Sequence, residues 1–96
     1  MFLMDPFKVT DSLPMLSKLT LEEKEKVIKT YQQVLRSKPI NRVMRVRDYM
    51  KGKLKGAQQG NTDYHRALAD QYKRIVNIIE NTLLQWPLKD WNTTID

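Results

Sequence analysis

Apolar residues recur every three or four positions in three stretches of this chain, the spacing that gathers them on one face of an α-helix. The longest stretch begins at Asp63, and Pro87 ends the pattern. Its apolar positions are Tyr64, Leu68, Tyr72, Ile75, Ile79, Leu83 and Trp86. We predict a helix over residues 63–86 (helix C), about 35 Å long at about 1.5 Å per residue, that forms the spine of a small domain.

A second helix, helix A, is predicted over residues 20–36. Thr20 followed by Glu23 is a capping box, in which the hydroxyl and the carboxylate each accept a hydrogen bond from a free backbone N–H at the helix start. Lys38 is disfavoured from helical geometry because Pro39 follows it, so the helix ends before this point. Its apolar stripe contains Leu21, Val27, Ile28, Tyr31, Val34 and Leu35.

The stretch RVMRVRDYMKGKLKG, residues 42–56, is the third candidate. It does not alternate cleanly as a strand would, whereas at about 100° per residue four apolar side chains fall within an arc of about 80°. These side chains are Val43, Val46, Met50 and Leu54. We therefore predict helix B over residues 40–55, docked by this narrow face on helices A and C. Gly56 is expected to stop the helix, and residues 56–62 to form a loop.

The two ends of the chain show no long period. Residues 1–19 hold many apolar side chains, and we expect them to pack as an arm across the helices or onto a second copy of the chain. Residues 87–96 form a short tail. The sequence as a whole predicts one all-α domain over residues 1–96, a small three-helix bundle with an N-terminal arm and a short C-terminal tail. The apolar surplus of the arm and of helix C favours a homodimer.

The composition is that of a soluble globular protein, and it removes several kinds of chemistry. Apolar residues make up 41% of the chain and charged residues 29%, which separates it from disordered chains. Cysteine is absent, so disulfides, thiolate catalysis and cysteine metal sites are excluded. The N-terminus lacks the basic and apolar regions of a signal peptide, and no apolar run approaches the length that spans a bilayer. We therefore expect a cytoplasmic protein.

Positive charge is concentrated in one segment. Residues 36–55 contain eight Lys or Arg side chains and one acidic side chain, Asp48, so this segment alone exceeds the net charge of +6 of the whole chain. Clustered charge of one sign creates a local field that favours a partner of the opposite sign. A polyanion is the simplest such partner.

Two groups of residues flank the apolar face of predicted helix B. They are Arg42, Arg45, Tyr49 and Lys53 on one side, and Met44, Arg47, Lys51 and Lys55 on the other. Arg and Lys placed along a helix meet successive phosphates, and Tyr49 is suited to stack on a base. The leading hypothesis is a non-enzymatic DNA- or RNA-binding protein, regulatory or architectural, in which these residues other than Met44 form the contacts. Because the outward face offers mainly Arg and Lys, limited sequence reading is expected and a helix-turn-helix is disfavoured.

Two other interpretations of this charge stay open. A helix of a basic protein carries cations beside its apolar stripe simply because that face is solvated. Alternatively, the chain is a small adaptor or inhibitor, of phage or plasmid type, whose basic face meets an acidic protein. Phe2, Phe7 and Trp91 are then the candidate anchors, since aromatic residues are enriched at binding hot spots. Membrane binding is disfavoured because the apolar face of helix B has no aromatic anchor.

Catalysis is not expected. His65 is the only histidine, so neither a second imidazole nor a thiolate is available to complete a zinc site or a nucleophile–base pair. The three glycines lack the strand-to-helix context of a phosphate-binding loop. We predict no enzymatic activity, no metal and no cofactor.

Overall fold

The structure, a computed structural model, describes residues 5–92, and within them it contains helices and no strand. The four α-helices are α1 (Pro6–Asp11), α2 (Leu21–Arg36), α3 (Ile40–Gln58) and α4 (Asp63–Leu83). Two short 3-10 helices lie at Leu16–Lys18 and Leu88–Asn92. The prediction of a small all-α bundle is confirmed, with α2, α3 and α4 in the places of predicted helices A, B and C.

Helix α4 lies at the centre of the bundle. Its most extensive packing is with α3, to which residues 59–62 join it as a helical hairpin, and α2 packs against it as well. Two helices therefore cover the apolar stripe of α4. The buried core consists of Leu16, Tyr31, Leu35, Ile40, Val43, Met44, Val46, Met50, Ile75, Val76, Ile78, Ile79 and Leu83.

The predicted capping box starts α2. The Thr20 backbone N–H donates to Glu23 Oε1 at 2.9 Å, and the Glu23 backbone N–H donates to the Thr20 hydroxyl at 3.2 Å. The Thr20 backbone N–H, and after it the Thr20 hydroxyl, lower the pKa of Glu23. Because the carboxylate form is favoured in the folded state, this cap is complete above the ordinary glutamate pKa and is lost as the pH falls through the lowered value.

Gly56 does not stop helix α3, which continues to Gln58, and the prediction of a loop from residue 56 was wrong. The reason is the next residue: Ala57 is buried against the bundle, and this packing outweighs the cost of about 1 kcal/mol for glycine inside a helix. The chain turns instead at Gly60, where a Cβ atom would overlap the imidazole of His65.

The N-terminal arm contains a helix that the sequence pattern did not reveal. Asp5 caps α1 by accepting the Phe7 backbone N–H at 3.0 Å, and Pro6 occupies its first turn. A helix of six residues is too short to show a hydrophobic period, although a capping aspartate before proline is typical of a helix start.

Buried polar groups anchor the arm on the bundle. The Thr10 hydroxyl donates to the Pro6 carbonyl at 2.6 Å and lies 2.6 Å from the Tyr31 hydroxyl, which is therefore the donor of that second hydrogen bond. Burial raises the pKa of Tyr31 and keeps the phenol neutral. Gln71 of α4 accepts the Leu16 N–H at 2.9 Å and donates to the Pro14 carbonyl at 2.8 Å.

Two residues assigned to apolar stripes are exposed instead. Leu21 is 73% exposed and Tyr64 69%. Both lie in the first turn of their helix, α2 or α4, where the periodic face extends past the helices that cover its middle. The pattern identified the direction of each face but not the point at which the neighbouring helices stop.

Candidate nucleic-acid interface

The buried face of α3 is wider than the sequence indicated. Its buried residues span an arc of about 160° at about 100° per residue, twice the predicted arc. They are Ile40, Val43, Met44, Val46, Met50 and Ala57. Met44 was placed beside the cations on one flank, yet it is only 4% exposed. The part of that flank that contains Met44 therefore faces the core.

Two of the cations on the Met44 flank form ion pairs within the molecule. Arg47 Nε lies 3.0 Å from Asp48 Oδ1, and the Arg47 side chain is only 21% exposed. Lys51 Nζ lies 3.4 Å from Glu80 Oε2 on α4. Both residues were predicted to contact phosphates, but in the structure each of them pairs with a carboxylate of the same chain.

On the opposite flank, Tyr49 and Lys53 meet the last residue of α1. The Tyr49 hydroxyl donates to Asp11 Oδ2 at 2.9 Å, and Lys53 Nζ donates to Asp11 Oδ1 at 2.9 Å. We call these three residues the Asp11 cluster. The Tyr49 hydroxyl and the Asp11 carboxylate raise the pKa of Lys53, which stays an ammonium at all ordinary pH values.

Aromatic rings enclose the Lys53 ammonium on two sides. Its Nζ lies 4.8 Å from the centroid of Tyr49 and 5.9 Å from that of Tyr72, within the range of cation–π attraction. Phe7 of α1 packs edge-on against Tyr49 with ring centroids 5.3 Å apart. Because Lys53 lies over the Tyr49 ring and Phe7 packs against the same ring, Tyr49 is poorly placed to stack on a base.

The other three predicted contacts, Arg42, Arg45 and Lys55, form no ion pair with any residue from 5 to 92. Arg42 and Lys55 are exposed, and Arg45 is partly exposed. Arg42 and Arg45 are three residues apart on α3 and hence neighbours on its surface. Lys55 lies about 15 Å further along the helix, on the Met44 flank.

The start of α3 offers no compensation for this positive charge. Its first turn contains no acidic residue, and Pro39 at the N-cap position supplies no side-chain hydrogen bond. Arg42 is the third residue of the helix, near the positive end of the helix dipole, where a cation is unfavourable. The pair of arginines is therefore not placed to stabilise the helix.

The aromatic residues predicted to anchor a protein partner are only partly available for such a contact. Phe2 lies outside the described residues. Phe7 is half-buried against Tyr49. Trp91 is half-buried against the core, and its indole N–H donates to the Trp86 carbonyl at 3.4 Å. Phe7 and Trp91 thus contribute to the packing of this chain itself.

The neighbourhood of His65 is consistent with a local structural role. Its Nδ1 lies 2.6 Å from the hydroxyl of Thr62, which also caps α4 by accepting the His65 backbone N–H at 3.2 Å.

Across the described part of the chain, no three His, Cys, Asp or Glu side chains come together as a metal site requires. None of the helices within residues 5–92 is both long enough and apolar enough to cross a membrane.

Asp11 is the residue that sequence reasoning missed. It lies thirty-eight positions before Tyr49, in a segment without a recognisable period. The available signal was the helix start at Asp5 and Pro6, which would have placed Asp11 in or near a short helix but not beside α3.

Comparisons of the chain with protein-family models, with curated proteins and with solved structures gave no match.

Proposed function

We propose that this protein binds DNA or RNA in the cytoplasm, in a regulatory or architectural role without catalysis, through phosphate contacts made by Arg42 and Arg45. Lys55 provides a third contact further along α3. The observation that carries the proposal is the pair of arginines, one turn apart, with no acidic partner among the described residues.

The chemistry of arginine supports a phosphate as the ligand. A guanidinium group offers parallel N–H donors that match two oxygens of one phosphate, and adjacent guanidinium groups bridge neighbouring phosphates. Since the helix dipole disfavours a cation at the position of Arg42, the stability of the fold does not account for it. A ligand that brings negative charge would remove this local penalty.

The composition of the exposed surface supports weak sequence discrimination. Beside the two arginines, the outer side of α3 presents Asn41, Asp48 and Gly52. Asn41 is the one amide there, and amide side chains are the ones that recognise adenine by paired hydrogen bonds. We therefore propose that most of the binding energy comes from the backbone of the nucleic acid.

The test is the charge reversal Arg42→Glu/Arg45→Glu, assayed by fluorescence anisotropy with labelled duplex DNA, single-stranded DNA and RNA. We expect the affinity for the preferred ligand to fall about thirtyfold, because two contacts worth about 1 kcal/mol each are lost. Circular dichroism should show an intact fold, since glutamate near the start of a helix is favourable.

The matched control is Lys29→Glu/Lys73→Glu, which reverses two exposed cations on α2 and α4 and changes the net charge equally. If the two double variants lose affinity to the same extent, binding follows total charge and the proposed site is wrong. A preserved affinity in the control, with the loss confined to the arginine variant, supports the site.

The alternative, an adaptor that docks on an acidic protein, has less support. Its candidate anchors were Phe2, Phe7 and Trp91. Phe2 lies outside the described residues, and Phe7 and Trp91 already pack against this chain. To bind a partner, Phe7 and Trp91 would first leave contacts that they make in the free protein. The arginine pair needs no such rearrangement.

A further inference from the structure

We propose that Tyr49 and Lys53 form a phosphate subsite that Asp11 occupies in the free protein, and that a bound nucleic acid displaces the Asp11 carboxylate from it. This inference rests on the proposed function and concerns the same face of α3. It assigns to Asp11 the role of an internal competitor for the nucleic acid.

The geometry of the Asp11 cluster matches that of an anion site. Each oxygen of the carboxylate takes one donor, Oδ1 from Lys53 and Oδ2 from Tyr49, both at 2.9 Å. A phosphate group presents two oxygens in a similar arrangement and carries at least as much negative charge. Donors that converge on one carboxylate are therefore suited to a phosphate as well.

The position of the subsite continues the arginine pair. Arg42, Arg45, Tyr49 and Lys53 follow each other at intervals of three and four residues, so they form one row on the surface of α3. From Arg42 to Lys53 the row is about 17 Å long at about 1.5 Å per residue. This length corresponds to about five base steps of about 3.4 Å, enough for one strand to meet both ends of the row.

The Asp11 carboxylate is free to leave without unfolding the arm. The Lys53 side chain is 35% exposed and that of Asp11 41%, so water screens their ion pair and can replace each partner. Asp11 is the last residue of α1, whereas the arm is held by the buried hydrogen bonds of Thr10 and Gln71. Rotation of one side chain therefore opens the subsite.

The experiment measures the affinity of Asp11→Asn for the duplex or single strand that the wild type prefers. Asparagine keeps the size and one acceptor but removes the negative charge, so we expect about a fivefold gain in affinity. The second variant, Asp11→Asn/Lys53→Gln, should lose this gain, because the subsite then lacks its ammonium group.

Asp70→Asn is the matched control, since it removes the same charge from a side chain of similar exposure that pairs with Arg74 on α4. A gain specific to Asp11→Asn that requires Lys53 supports the inference. Equal gains for Asp11→Asn and Asp70→Asn would overturn it and leave the arginine site standing. Absence of binding by the wild type and by Asp11→Asn at low salt would overturn the proposed function and the inference together.

Discussion

Leu83→Ala is expected to lower the free energy of unfolding by about 3 kcal/mol, because it leaves a cavity in the core. Leu83 ends α4 and is fully buried, and it belongs to the cluster that joins α4 to its neighbours. Since the chain is small, a loss of this size removes a large part of its stability. Urea denaturation followed by circular dichroism measures the change.

The next residue provides the control for this prediction. Leu84 is 71% exposed, so Leu84→Ala should change the free energy of unfolding by less than about 0.5 kcal/mol. The two variants make the same chemical change at adjacent positions and differ only in burial. Similar losses for both would mean that α4 does not present the face described here to the core.

Gln71→Leu is expected to destabilise the protein by about 2 to 3 kcal/mol although leucine is the more apolar residue. The substitution removes the acceptor of the buried Leu16 N–H and the donor to the part-buried Pro14 carbonyl, and a buried N–H without a partner pays its full desolvation cost. Gln71 is only 6% exposed, so water cannot readily replace the lost amide.

The same denaturation experiment tests Gln71, with Gln58→Leu as its control. Gln58 is exposed at the end of α3, where the substitution should be nearly neutral. Amide hydrogen exchange adds a local measurement, because loss of the Gln71 contacts should speed exchange at Leu16 first. An unchanged exchange rate at Leu16 would show that Gln71 does not hold the arm.

The sequence was sufficient for those features that depend on neighbours along the chain. The period of apolar residues located α2 and α4, and the spacing of Thr20 and Glu23 identified the capping box. Each of these signals lies within one helix, so no knowledge of the tertiary structure was needed. The continuation of α3 past Gly56 was missed because burial of Ala57 depends on the other helices.

The candidate site shows the same division. A helical wheel predicted the side of α3 on which each cation lies. It could not predict which carboxylates of other helices lie next to those cations. Asp11 comes from α1 and Glu80 from α4, and they turn Lys53 and Lys51 into members of ion pairs. Charge counted along the sequence therefore overstated the free positive surface. The arginines at the start of α3 keep their charge uncompensated among the described residues.

The salt dependence of wild-type binding tests the central claim most directly. The anisotropy titrations with duplex DNA, single-stranded DNA and RNA are repeated over a range of salt concentrations, and the logarithm of the association constant is plotted against that of the salt concentration. Contacts by Arg42, Arg45 and Lys55 predict a slope of about −2.7 on duplex DNA, and Lys53, added when Asp11 is displaced, steepens it to about −3.6. A slope near zero, or no binding even at low salt, would contradict a phosphate-binding role for α3.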